Sequence, residues 1–75
     1  MIKSEHLNVM YAKTKEIWEI VIPHFYGLEE IDFYKFDSDE FAGLPYGTKS
    51  FLNGKMLEVQ FDYDCNVVGI GFNKV

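Results

Sequence analysis

Residues suited to a buried face recur at steps of three and four between residues 4 and 22: Leu7, Met10, Tyr11, Thr14, Ile17, Trp18, Val21 and Ile22. At 100° per residue they fall on one side, which predicts an amphipathic helix. Glu5, Ala12, Glu16 and Glu19 fall opposite. Ser4 reads as the N-cap, with Glu5 favourable in the first turn. Pro23 lacks an N–H and clashes with the preceding turn, so the helix should stop or kink there. Gly27 should close the short turn that follows.

Beyond that point the period falls to two. "IDFYKF", residues 31–36, is rich in β-formers and predicts a strand. "DSDEFAGLPYG" reads as punctuation, with Ser38 capping a single helical turn and Pro45-Tyr46-Gly47 as a tight turn. Asn53-Gly54 is a strong hairpin signal, joining strands over 47–52 and 55–63. Leu57, Val59, Phe61 and Tyr63 alternate with Glu58, Gln60, Asp62 and Asp64, and Val68, Ile70 and Phe72 alternate with Gly69, Gly71 and Asn73. Pairing Phe61 with Val68, Val59 with Ile70 and Leu57 with Phe72 puts all six on one face of an antiparallel hairpin. The loop then covers Tyr63 to Asn66, with Cys65 at its tip and little buried. Gly69 and Gly71 would leave the opposite face open to another backbone.

The expected fold is a two-layer α+β arrangement, α-β-β-β-β. One N-terminal helix packs on three or four antiparallel strands, with Trp18 near the core centre and the six hairpin residues facing the helix. At 75 residues the chain has room for one domain, covering residues 1–75. A domain of this size buries only roughly 60% of its unfolded surface. The 48% hydrophobic and 17% aromatic content argue against disorder. Met1 leads into no continuous apolar segment of signal-peptide type, and Ile20-Val21-Ile22-Pro23 is far too short to span a bilayer. A lone cysteine suits a reducing compartment. The expectation is a complete, small, cytoplasmic protein with no membrane partner.

Candidate chemistry narrows the function classes. Asp62-x-Asp64-x-Asn66 resembles the start of a calcium loop, but the sixth and twelfth positions hold Val67 and Asn73 instead of Gly and Glu. His6 and His24 form no zinc motif, and no second cysteine joins Cys65. Asp62 and Asp64 beside Cys65 disfavour a reactive thiolate. Gly69-x-Gly71 has no following helix or lysine to hold a phosphate. No enzyme activity, cofactor or metal is expected. The chain has seven lysines, no arginine and a net charge of −5, which argues against direct nucleic-acid binding.

The placement of the charge is more informative than its sum. Residues 28–46 hold Glu29, Glu30, Asp32, Asp37, Asp39 and Glu40 against Lys35 alone, a balance of −5, while acids and lysines cancel over the remainder. Phe33, Tyr34, Phe36, Phe41 and Tyr46 interleave with these acids. Carboxylates that steer and rings that anchor suit docking onto a basic protein surface. The expected contact set is Asp32, Tyr34, Phe36, Asp37, Asp39, Glu40 and Phe41, joined by Glu58, Asp62 and Asp64 from the hairpin. Acids that merely protect an edge strand from aggregation would give the same pattern.

The leading expectation is a non-enzymatic inhibitor that occupies a basic site on a larger protein, a nucleic-acid-binding site included. An immunity protein, an antitoxin or a phage-encoded inhibitor would have this character. The alternative is a homo-oligomeric structural or accessory protein, such as a homodimer, with Val9, Ile20, Phe51 and Met56 in the self-interface. A small-molecule or calcium binder built on Asp62, Asp64 and Asn66 comes last.

Overall fold

The helical period ends where the chemistry of the chain stops it. In the computed structural model, which describes residues 3–36 and 44–75, helix α1 spans Ser4–Val21. The Ile22 N–H donates to Trp18 O at 2.9 Å, and Pro23 ends the ladder. At the other end Lys3, not Ser4, takes the N-cap position, and no side chain caps the first turn. Ser4 is already helical, so its hydroxyl is one residue late for the expected cap. Gly27 adopts φ 117°, which a side chain would strain.

Four strands follow: β1 (Glu30–Lys35), β2 (Tyr46–Leu52), β3 (Lys55–Phe61) and β4 (Val67–Lys74). They form one antiparallel sheet in the order β1-β2-β3-β4. The fold is therefore α+β, one helix on a four-stranded antiparallel sheet. The Asn53-Gly54 turn has positive φ at both residues, 50° and 74°, as the tight hairpin requires. Tyr46 and Gly47 belong to β2 rather than to a turn, because each has a partner on both sides in the sheet.

The helix lies over β2 and β3. Met10 and Trp18 meet Leu52, Leu57, Val59 and Phe61 in the core, with Leu7, Ile17, Phe33 and Tyr46 packed around them. Two polar contacts cross this interface. Thr14 Oγ1 and Thr48 Oγ1 share a hydrogen bond of 3.0 Å, and Trp18 Nε1 donates to Ser50 Oγ at 2.8 Å. All four residues are fully buried. Burying a hydroxyl is costly unless it is bonded, so these pairs fix where the helix sits along β2.

The last hairpin departs from strict alternation. Leu57 opposes Phe72 and Val59 opposes Ile70, as the pattern predicts, but Phe61 opposes Val67. A bulge beside Gln60 and Phe61 leaves Val68 as the extra residue, which removes it from the expected Phe61 pair. Ile70 and Phe72 share the helix-side face but remain 57% and 46% exposed, because they lie beyond the helix at the edge of the sheet. Only Phe72 reaches the core's principal aromatic, its ring edge-on to Trp18 at 5.7 Å.

Cys65 also departs from expectation. It is only 3% exposed and belongs to the core cluster. The reason is local. Cys65 adopts φ 61°, which turns the chain inward, while Lys13 Nζ from the helix donates to Cys65 O at 2.6 Å. Asp62, rather than Asp64 or Asn66, organises this turn. Its Oδ1 accepts the N–H groups of Asp64 and Asn66, both at 2.9 Å, and its Oδ2 accepts Asn66 Nδ2 at 3.3 Å.

Candidate functional site

Strand register decides which of the acidic and aromatic residues share a surface. The face opposite the helix is built in rows across the sheet. One row is Glu30, Phe51, Met56 and Asn73; the next is Asp32, Lys49, Glu58 and Gly71; the third is Tyr34, Gly47, Gln60 and Gly69. The expected contact residues Asp32, Tyr34 and Glu58 thus come together here. Phe36 joins them, its ring edge-on to Tyr34 at 5.0 Å and its N–H bonded to Pro45 O at 3.0 Å.

The centre of this face is a side-chain network. Tyr34 leans across Gly47 and its hydroxyl donates to Glu58 Oε2 at 2.5 Å. Lys49 Nζ lies 5.2 Å from the Tyr34 ring centroid, within reach of a cation–π attraction. Burial, together with the neighbouring Glu58 carboxylate as hydrogen-bond partner and as charge, raises the Tyr34 phenol well above the usual tyrosine range. Tyr34 is a neutral hydrogen-bond donor to Glu58 in the physiological range.

Two of the three glycines on this face are not open ground. A Cβ on Gly47 would stand 2.5 Å from Tyr34 Cζ, and one on Gly69 would run into the Gln60 amide. Each of these two accommodates a side chain from the adjacent strand. Gly71 has no closer neighbour than Glu58 at 3.9 Å, so bare backbone is left there as the sequence suggests, while Gly69 departs from that expectation.

Asp62 and Asp64 sit at the Phe36–Pro45 end of the sheet, in the turn between β3 and β4. Asp62 is committed to its own loop. Hydrogen bonds from Asn66 and Asp64, with the nearby Lys13 charge, lower its carboxyl below the ordinary aspartate range against a smaller effect of desolvation. A carboxylate whose oxygens already accept three N–H groups is poorly placed to meet a partner or a cation. No cluster of three or more His, Cys, Asp or Glu suited to a metal occurs among the described residues. Asp37, Asp39, Glu40 and Phe41 lie outside the described residues.

Sequence reasoning missed Lys49 and Gln60 as members of this face. The signal was present: the Asn53-Gly54 turn sets Leu52 opposite Lys55, and counting back places Lys49 opposite Glu58. No helix among the described residues is long and apolar enough to cross a membrane. No protein-family model, curated protein or solved structure matches the chain.

Proposed function

We propose that the chain is a non-enzymatic protein-binding module that docks the β1 side of its helix-free sheet face onto a basic surface of a larger protein. One observation carries this reading. The register gathers Glu30, Asp32 and Glu58 with Tyr34 and Phe51, and the Tyr34 ring contact adds Phe36, on a face that neither the helix nor another layer among the described residues covers. Glu30 and Asp32 are exposed on the outer edge strand, while the rings are half-buried and held by neighbouring side chains. Preformed rings lose little entropy on binding, and outlying carboxylates speed encounter with a cationic partner. Where the basic surface normally holds nucleic acid, such docking is inhibitory, in the manner of an antitoxin, an immunity protein or a phage inhibitor of a host system.

The test compares wild type with the Glu30→Lys, Asp32→Lys double variant as immobilised baits for proteins of the source cell. Both positions are exposed, so the variant should remain folded. Wild type should retain a basic protein that elutes with salt, identified by mass spectrometry, and the variant should lose it. A Glu16→Lys, Glu19→Lys control alters exposed charges on the helix and should retain it. Equal capture by wild type and the β1 variant overturns the reading.

A further inference from the structure

We propose that β4 pairs edge to edge with β4 of a second copy, in antiparallel two-fold fashion, making a dimer with one continuous eight-stranded sheet. The inference is independent of the docking function, which uses the β1 side.

The first ground is the direction of the backbone groups. Val75 N–H donates to Gly54 O at 2.8 Å, continuing the β3–β4 register by one opposed pair. Hydrogen-bonded and non-hydrogen-bonded pairs alternate along an antiparallel ladder. Gly69, Gly71 and Asn73 thus direct their N–H and C=O groups at β3, while Ile70, Phe72 and Lys74 direct theirs outward from the edge. Such a row is a template for another strand.

The second ground is the contrast between the two edges. β1 carries Glu30, Asp32 and Lys35, the kind of charge that blunts edge pairing. β4 reads VVGIGFNK, without a charge until Lys74. Ile70 and Phe72 are exposed apolar residues on its helix side. Lys13 reaches the β3–β4 turn, which identifies the helix flank above β4, and at 100° per residue Ile20, 81% exposed, falls on that flank. Phe51 and Met56, by contrast, belong to the opposite sheet face and do not join this surface.

Charge selects the orientation and the occupant. With the two-fold axis at Ile70, Lys74 of each copy lies toward the β3–β4 turn of the other, which carries Asp62 and Asp64. The two lysines then stand at opposite ends of the joint, whereas a parallel pair would bring them together. An isologous joint also closes, leaving only the charged β1 edges at the ends.

Sedimentation equilibrium on the intact chain tests the proposal, with backbone amide exchange by NMR at low and high concentration. The mass should rise from 8.8 kDa to twice that value with concentration and go no further. The amides of Ile70 and Phe72 should gain protection with concentration, while those of Gly69 and Gly71 are protected throughout. Ile70→Lys places a charge at the axis on a half-exposed site, so it should stay folded by circular dichroism and monomeric. Ile70→Val, which keeps the apolar edge, should still dimerise. A wild type that stays monomeric, an Ile70→Lys variant that still dimerises, or growth beyond two copies overturns the proposal.

Discussion

Trp18 Nε1 donates to Ser50 Oγ at 2.8 Å, and Ser50 Oγ in turn donates to Leu57 O at 3.2 Å. A single hydroxyl thus joins the helix, β2 and β3 at the centre of the core. Ser50→Ala should leave the indole N–H buried without a partner and cost about 1–3 kcal/mol. Trp18→Ala should cost more, about 3–5 kcal/mol, by opening a large cavity. Urea denaturation followed by circular dichroism measures both. A Ser50→Ala variant as stable as wild type would show that water or another group satisfies the indole.

How much of this was legible in the sequence depends on the range of the interaction. The helix and the 53–54 hairpin follow from local rules, because Pro23 and Asn53-Gly54 act on their own neighbours. The Leu57–Phe72 and Val59–Ile70 pairs follow from alternation. The pattern fails at Val68, where a bulge adds a residue, and at Cys65, where Lys13 reaches over from 52 positions away to hold the turn. Ser50 and Thr48 carry no hydrophobic signal that would mark them as core. Only the opposing Trp18 and Thr14 make them core. For the candidate site, charge placement along residues 28–46 identified Asp32, Tyr34 and Phe36, but the Tyr34–Glu58 bond depends on three strands lying in register.

The burial of Cys65 should make its thiol slow to react. Desolvation raises the thiol above its ordinary range, with Asp62 and Asp64 adding to the rise and Lys13 opposing it. A thiol reagent at pH 8 should label it far more slowly in the native protein than in denaturant. Because the folded pKa is raised, the associated stability is fully present below the unfolded thiol pKa and declines as pH climbs through the folded one. Cys65→Ser exchanges a buried thiol for a hydroxyl and should cost about 1–3 kcal/mol. Labelling at the same rate in both states would place the sulfur at the surface.

Asp62 has the opposite pH signature. Its folded pKa is lowered, so its contribution is present above the unfolded value of about 3.9 and is lost as pH falls through the folded value. Wild-type stability should therefore fall across this acid range, and Asp62→Ala should flatten that part of the profile. Melting temperatures from pH 2 to pH 6 provide the comparison. The same variant should loosen the 62–66 turn, seen as faster exchange of the Asp64 and Asn66 amides. An unchanged acid limb would mean that the turn does not depend on the carboxylate.

The last prediction separates shape from charge on the helix-free face. Gly47→Ala changes no charge, but its Cβ would stand 2.5 Å from Tyr34 Cζ and 2.6 Å from the hydroxyl oxygen. Tyr34 must then leave its place over β2, and its bond to Glu58 must break. Overpacking of this kind typically costs about 1–3 kcal/mol. In a Tyr34→Ala background the ring that meets this Cβ is gone, so the same glycine substitution should cost much less. The double-mutant cycle should show a coupling of about 0.5–3 kcal/mol, the range for residues in contact. Gly69→Ala is the internal comparison, because its Cβ meets the mobile end of Gln60, which can swing aside. If the proposed partner reads the Tyr34 ring, Gly47→Ala should weaken binding chiefly through faster dissociation while the salt dependence of association stays as in wild type. Glu30→Lys with Asp32→Lys should instead slow association and reduce its salt dependence. The same kinetic change in both variants, measured by surface plasmon resonance at two salt concentrations, would show that ring and carboxylates do not have the separate roles assigned to them.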